Sequence, residues 1–218
     1  MYKSIAFAAA LFAAAIAVQP VEAATATFDD RAEFLAAGGE ATTYATPSFS
    51  RSGPSLVTFD GLSITSIRRS FFTTSDRAGI SNPIVFSDGR GENFNVGFDD
   101  PVFGFGFDIL EPVSASICNT IVCAASIFSV SLFSGSDQVG SAMFTPTRSD
   151  TEAAFFGIQS TFGFDAVQVR EMLGTNDNEF FGNFVTTNVA PVPLPAPALL
   201  LLGGIGILGF MRRRSAAA

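Results

Sequence analysis

The side chains best suited to chemistry lie in three oxygen-rich turns, Asp29-Asp30, Asp99-Asp100 and Asn176-Asp177-Asn178-Glu179. Calcium takes about six to eight oxygen ligands from groups of this kind. Asp177 and Glu179 are therefore the candidates for a structural calcium site, the one metal worth weighing. Solvated loops have the same composition. No turn fits the EF-hand loop, and Ser87-Asp88-Gly89-Arg90-Gly91 does not fit the nonapeptide calcium repeat.

Two cysteines, Cys118 and Cys123, stand five positions apart. In an exported chain this spacing reads as an intramolecular disulfide stapling a short loop, which stabilises by roughly 2 kcal/mol in the chain-entropy treatment. A redox pair is more often Cys-x-x-Cys, and a zinc site needs more ligands. The chain has no histidine, which closes Ser-His-Asp and Cys-His mechanisms and removes the commonest general base. No Gly-x-Ser-x-Gly elbow, phosphate loop or metalloprotease helix occurs. A glycosidase needs only two carboxylates, and nothing in the sequence picks out a pair. The expectation is a protein that is not an enzyme.

The elements that would carry these residues are short and mostly extended. Asp29 to Gly39 reads as one short helix, capped by Asp30 with Glu33 three residues on, ended by Gly38, and docked through Phe34 and Leu35. Alternating runs follow at 56–59, 62–67, 70–74, 83–86, 93–98, 102–109, 127–133, 138–144, 153–159, 164–171 and 184–189. Asp60-Gly61 is a strong hairpin turn between the first two. About eleven strands without a βαβ rhythm predict an all-β, antiparallel sandwich.

Its core should be phenylalanine. The chain has 25 Phe, 2 Tyr and no Trp. In Phe103-Gly104-Phe105-Gly106-Phe107 the rings should face inward and the glycines outward, permitting close backbone approach on the outer side. Sugar platforms favour Trp and Tyr, whose polar edges tolerate exposure, so these rings read as core.

The two ends differ from this middle. Lys3, an apolar run from Ile5 to Val18 and Val21-Glu22-Ala23 read as a secretory signal peptide over residues 1–23, with cleavage by signal peptidase expected after Ala23 and after Ala24 as the near alternative. That leaves one domain over 24–190, with 19 acidic residues against 8 Arg, a net of −11. Such a surface repels nucleic acid. Residues 191–218 begin with alternating prolines, which hold the chain extended. They continue through Ala196 to Met211 without a charge and close on Arg212, Arg213 and Arg214. The apolar stretch would span about 24 Å as a helix, enough for a short transmembrane span. The arginines keep their end cytoplasmic.

This ending resembles the PEP-CTERM class of sorting signals in its VPLPA variant, with Val192, Pro193, Leu194, Pro195 and Ala196 as the motif. The resemblance implies processing by an exosortase, a membrane-embedded cysteine transpeptidase of Gram-negative bacteria. It implies secretion, transient anchoring in the inner membrane with the domain in the periplasm, and release or transfer to the cell surface. The middle is similar to the jelly-roll-like domains that accompany such signals, through Phe28-Asp29-Asp30-Arg31-Ala32-Glu33-Phe34, Phe105-Gly106-Phe107-Asp108, Phe155-Phe156-Gly157-Ile158 and Phe164 to Val169. Related-looking chains carry Asp-Asn where this one has Gly182-Asn183. The implied role is a non-catalytic surface or matrix protein, with carbohydrate binding in the exopolysaccharide matrix as the alternative and a secreted hydrolase as a further one.

Overall fold

The computed structural model describes residues 24–49, 55–67, 71–86, 92–118, 123–173 and 179–191. Along the chain come β1 (Thr25–Phe28), α1 (Arg31–Gly38), β2 (Ala41–Tyr44), β3 (Leu56–Phe59), β4 (Leu62–Ser66), β5 (Phe71–Thr73) and β6 (Ile84–Phe86). Then follow β7 (Phe94–Leu110), α2 (Ala115–Cys118), β8 (Ile127–Ser134), β9 (Asp137–Phe144), β10 (Ala154–Leu173) and β11 (Phe180–Thr187). All strand pairings are antiparallel. The signal peptide and the C-terminal helix expected from the sequence lie outside the described residues, among which no helix is long and apolar enough to cross a membrane.

Two strands run through the whole architecture. The first part of β10 pairs Ala154–Gln159 with Gly104–Ile109 of β7, and β1 adds on its free side. Beyond β7, this half continues through β11 to β2 and β6. The later part of β10 pairs Ala166–Val169 with Phe94–Gly97, flanked by β8 and β9 on one side and β4 and β3 on the other. The sequence reading cut each of these strands in two. The cuts fell at Asp99-Asp100-Pro101 and around Thr161, where register shifts mark bends. Turn-forming residues sit there because the strands change direction, not because they end.

The bends fold the sheet over, so rings from one half meet rings from the other. Phe94 lies 5.1 Å from Phe181, Phe128 5.8 Å from Phe181, and Phe144 4.1 Å from Phe156. The first two separations lie within the ~4.5–7 Å usual for aromatic pairs, and the third is a closer, near-parallel stack at 19°. Phe105 and Phe107 are fully buried, as the alternation predicted. Phe103 is not: it is half-buried and lies outside the core, against the Gly163 side of the bend.

On the outer side the glycines do what was expected. Gly106 and Gly157 are directly paired. A Cβ on Gly157 would sit 2.6 Å from Phe34 Cδ2, and one on Gly106 would sit 2.6 Å from Phe155 Cζ. The bare backbone lets α1 lie flat on the sheet, with Phe34 as its buried anchor. The amide of Glu33 donates to Asp30 Oδ1 at 2.9 Å, confirming the cap. Gly38 is the last helical residue, and the stop falls one later, at Gly39, whose φ of +69° and ψ of −123° suit a residue without a Cβ. The side-chain amide of Gln159, itself buried, donates to Phe34 O at 2.9 Å and ties the helix down. The β3–β4 hairpin turns at Asp60 and Gly61 with φ +51° and +82°, as the Asp-Gly pair foretold.

β1 and β2 were absent from the sequence reading. Apart from Phe28 and Tyr44 at their last positions, their residues are Thr and Ala with exposed side chains, so no apolar alternation announces them.

Candidate functional site

The start of α1 is held by one polar network. Arg31 Nη2 donates to Asp108 Oδ1 at 2.8 Å and to Asn183 O at 2.8 Å. The Asn183 amide donates to Asp108 Oδ2 at 2.7 Å and to Gly79 O at 2.9 Å. The guanidinium carbon also lies 4.7 Å from the centroid of Phe155. Four stretches far apart in sequence thus meet at one place: the start of α1, β7, the start of β10 and β11. The sequence had marked all four as motifs without showing that they touch. Asn183 adopts φ +48°, a conformation asparagine accepts more readily than most residues. An Asp at the preceding position would collide, because a Cβ on Gly182 falls 2.5 Å from Ile80 Cγ2.

Beside this network opens a groove of about 480 Å³. Its lining combines the half-exposed rings of Phe28, Phe144 and Phe155 with Asp29, Asp30, Arg31, Glu152 and the 145–149 loop. Asp29, Asp30 and Glu152 are exposed, whereas Arg31 is fixed by Asp108. Planar carboxylates around aromatic faces can bind hydroxyl-rich ligands through hydrogen bonds and ring contact.

A second polar centre is buried. Ser126 donates its amide to Glu111 Oε1 at 3.0 Å and its hydroxyl to Glu179 Oε1 at 2.7 Å, with Glu171 Oε1 at 3.3 Å. Glu111 and Glu179 are fully buried. Arg148 approaches Glu111 at 3.9 Å and donates to Cys123 O at 2.7 Å and Pro112 O at 3.2 Å. The cluster joins the ends of β7, β10 and β11 to the segment before β8. Of the two calcium candidates, Glu179 is therefore turned inward onto Ser126, and Asp177 lies outside the described residues. Among the described residues no group of three or more His, Cys, Asp or Glu could hold a metal ion.

Neighbouring Asp150 accepts from the amides of Val113 at 2.9 Å and Ser114 at 3.1 Å. The Val113 bond chiefly, with Ser114 and Arg148 adding, holds its carboxyl below the ordinary value of 3.8. The folded state therefore gives up this proton more readily than the unfolded chain. The stabilisation is complete above the unfolded value and is lost as pH falls through the depressed one. Asp150→Asn should lower Tm at neutral pH and leave a smaller gap from the parent near pH 3, as thermal melts across the acid range would show.

Cys118 closes α2, but its side chain is outside the described residues; Cys123 is 8% exposed, and no free cysteine occurs among the described residues. Val192 to Ala196 and Arg212 to Arg214 lie outside the described residues. The groove itself was missed because its residues are separated by more than a hundred positions. Only the Phe-x-x-Arg-x-x-Phe and Phe155-Phe156-Gly157 motifs hinted at it.

No family profile and no curated protein matches the chain. Among solved structures it is similar to a family 29 carbohydrate-binding module at 14% identity, with 73% of this chain and 99% of that chain covered and a TM-score of 0.38. A second structure of a family 29 module gives 12% identity, coverage of 81% and 99%, and a TM-score of 0.34. A third, complexed with cellulohexaose, gives 14%, 79%, 96% and 0.33.

Proposed function

We propose that this is an exported, non-catalytic protein of the cell surface or exopolysaccharide matrix, and that its groove beside α1 binds a neutral glycan. The observation that carries the binding reading is the groove itself: exposed carboxylates around half-exposed Phe rings, with Arg31 locked beneath by Asp108 and Asn183. A net charge of −11 over residues 24–190 disfavours acidic polysaccharides. Delivery rests on the two ends of the chain. The signal peptide directs export through the secretion machinery, and an exosortase recognises Val192 to Ala196 after transient anchoring in the inner membrane. The Cys118–Cys123 disulfide belongs to the same proposal, since the periplasm is oxidising.

Affinity electrophoresis through gels cast with neutral or uronic-acid polysaccharides tests the binding. A neutral polymer should retard the parent, and Phe155→Ala should weaken that retardation about two- to tenfold, since ring contact contributes about 0.5–1.5 kcal/mol and each 1.4 kcal/mol is tenfold. Glu152→Gln, at an exposed position, should weaken it without altering Tm. Equal mobility in every gel would remove the glycan reading. Intact mass of the exported protein from strains with and without the exosortase tests the delivery: the residues after Ala196 should be lost only in the competent strain.

A further inference from the structure

We infer that the groove beside α1 selects a sugar carrying an acetamido group, with Arg31 as the residue that reads it. The inference rests on the neutral-glycan reading and names the class of glycan. A guanidinium offers N–H donors from every nitrogen and no acceptor. In Arg31 both hydrogens of Nη2 are spent, on Asp108 Oδ1 and on Asn183 O, each at 2.8 Å. Among the described residues Nη1 and Nε meet no protein acceptor. The side chain is 29% exposed and lines the groove. Asp108 and the Phe155 ring hold its plane still, so an incoming acceptor meets donors that are already oriented.

That acceptor is neutral. Asp108 compensates the charge of Arg31, and Asp29, Asp30 and Glu152 stand exposed around the same groove. An anionic group would therefore meet more negative charge than positive. The ligand must also donate. Carboxylates only accept, and those of Asp29 and Glu152 receive no protein hydrogen bond among the described residues. It must also bring apolar surface, because the half-exposed rings of Phe28 and Phe144 have no polar edge. Phe28 is steadied from behind by Phe34, centroid to centroid at 5.7 Å. A secondary amide ending in a methyl meets all three demands. Its carbonyl suits Arg31, its N–H suits Asp29 or Glu152, and its methyl suits a ring. A sugar hydroxyl can accept and donate, but it carries no apolar surface and its oxygen is a weaker acceptor than an amide carbonyl.

Calorimetric titration of the full chain in detergent with a hexamer of N-acetylglucosamine and a hexamer of glucose tests this, the two sharing one linkage and differing in the acetamido group. The acetamido hexamer should bind about tenfold tighter, the weight of one hydrogen bond to a charged donor. Arg31→Lys keeps a cation for Asp108 but loses the planar fork, and should bring the two affinities to within about twofold. A second readout needs no variant: in the isotope-labelled parent the Arg31 Nε–H resonance should shift with the acetamido hexamer and stay in place with the glucose hexamer. Equal affinities in the parent would overturn the acetamido assignment and leave the groove a site for neutral glycans. Binding of neither hexamer would overturn the groove reading as well. A preference that survives Arg31→Lys, or an Arg31 resonance unmoved by the acetamido hexamer, would overturn the assignment to Arg31.

Discussion

Phe107→Ala should cost about 3–5 kcal/mol, the cost of truncating a buried aromatic ring. Phe107 is fully buried and its ring meets those of Phe94, Phe105, Phe144, Phe156, Phe181 and Phe184 at centroid distances of 5.7–6.4 Å. These partners come from both halves of the folded-over sheet, so the void would open where the halves meet and neither could collapse alone. A domain stable by about 5–15 kcal/mol would lose a large share of it, and urea unfolding would move to a much lower midpoint. Phe162→Ala supplies the contrast, since that ring is 44% exposed; its effect should stay near 0.5 kcal/mol. Similar midpoints for the two variants would mean that the halves do not share one core.

Gly157→Val should act from the other side of the same sheet. Even a Cβ there would stand 2.6 Å from Phe34 Cδ2 and 2.9 Å from Phe155 Cε1. Because Phe34 anchors α1, relief requires the helix to lift, at a cost of about 1–3 kcal/mol or more. Lifting α1 also moves Arg31 off Asp108 and Phe155, so neutral-glycan retention should vanish along with the stability. Gly163→Ala is the control: its nearest contacts would be at 3.5–3.7 Å, ordinary van der Waals separations, and both stability and binding should hold. Full binding by Gly157→Val would detach the groove from the helix that forms one of its walls.

These two sites show what the sequence could convey. The Phe–Gly alternation at 104–107 conveyed both a ring-filled interior and a smooth outer face, because the pleat imposes a period of two on each. The cap at Asp30 and the turn at Asp60-Gly61 were legible because their chemistry is local. The bends in β7 and β10 were not. Asp99-Asp100-Pro101 has a turn's composition whether a strand ends or only changes direction, and pairing partners decide which. β1 and β2 were silent because their exposed Thr and Ala lie against neighbours chosen by the fold. For the groove, the motifs at Arg31, Asp108, Phe155 and Asn183 were each visible. Their meeting depends on β7, β10 and β11 being adjacent, which no local pattern states. Glu179 shows the reverse: its acidic turn suggested a structural calcium ligand, and its side chain is fully buried and bonded to Ser126.

The central claim is that the groove beside α1 takes a neutral glycan. Amide chemical shifts of the isotope-labelled full chain, titrated with a neutral hexasaccharide, test it most directly. The expected perturbations are confined to residues 28–31 and 144–156 and saturate together. Perturbations along Thr65, Asn95, Gln168 and Ser131 on the opposite layer, or none with any neutral oligosaccharide, would contradict it.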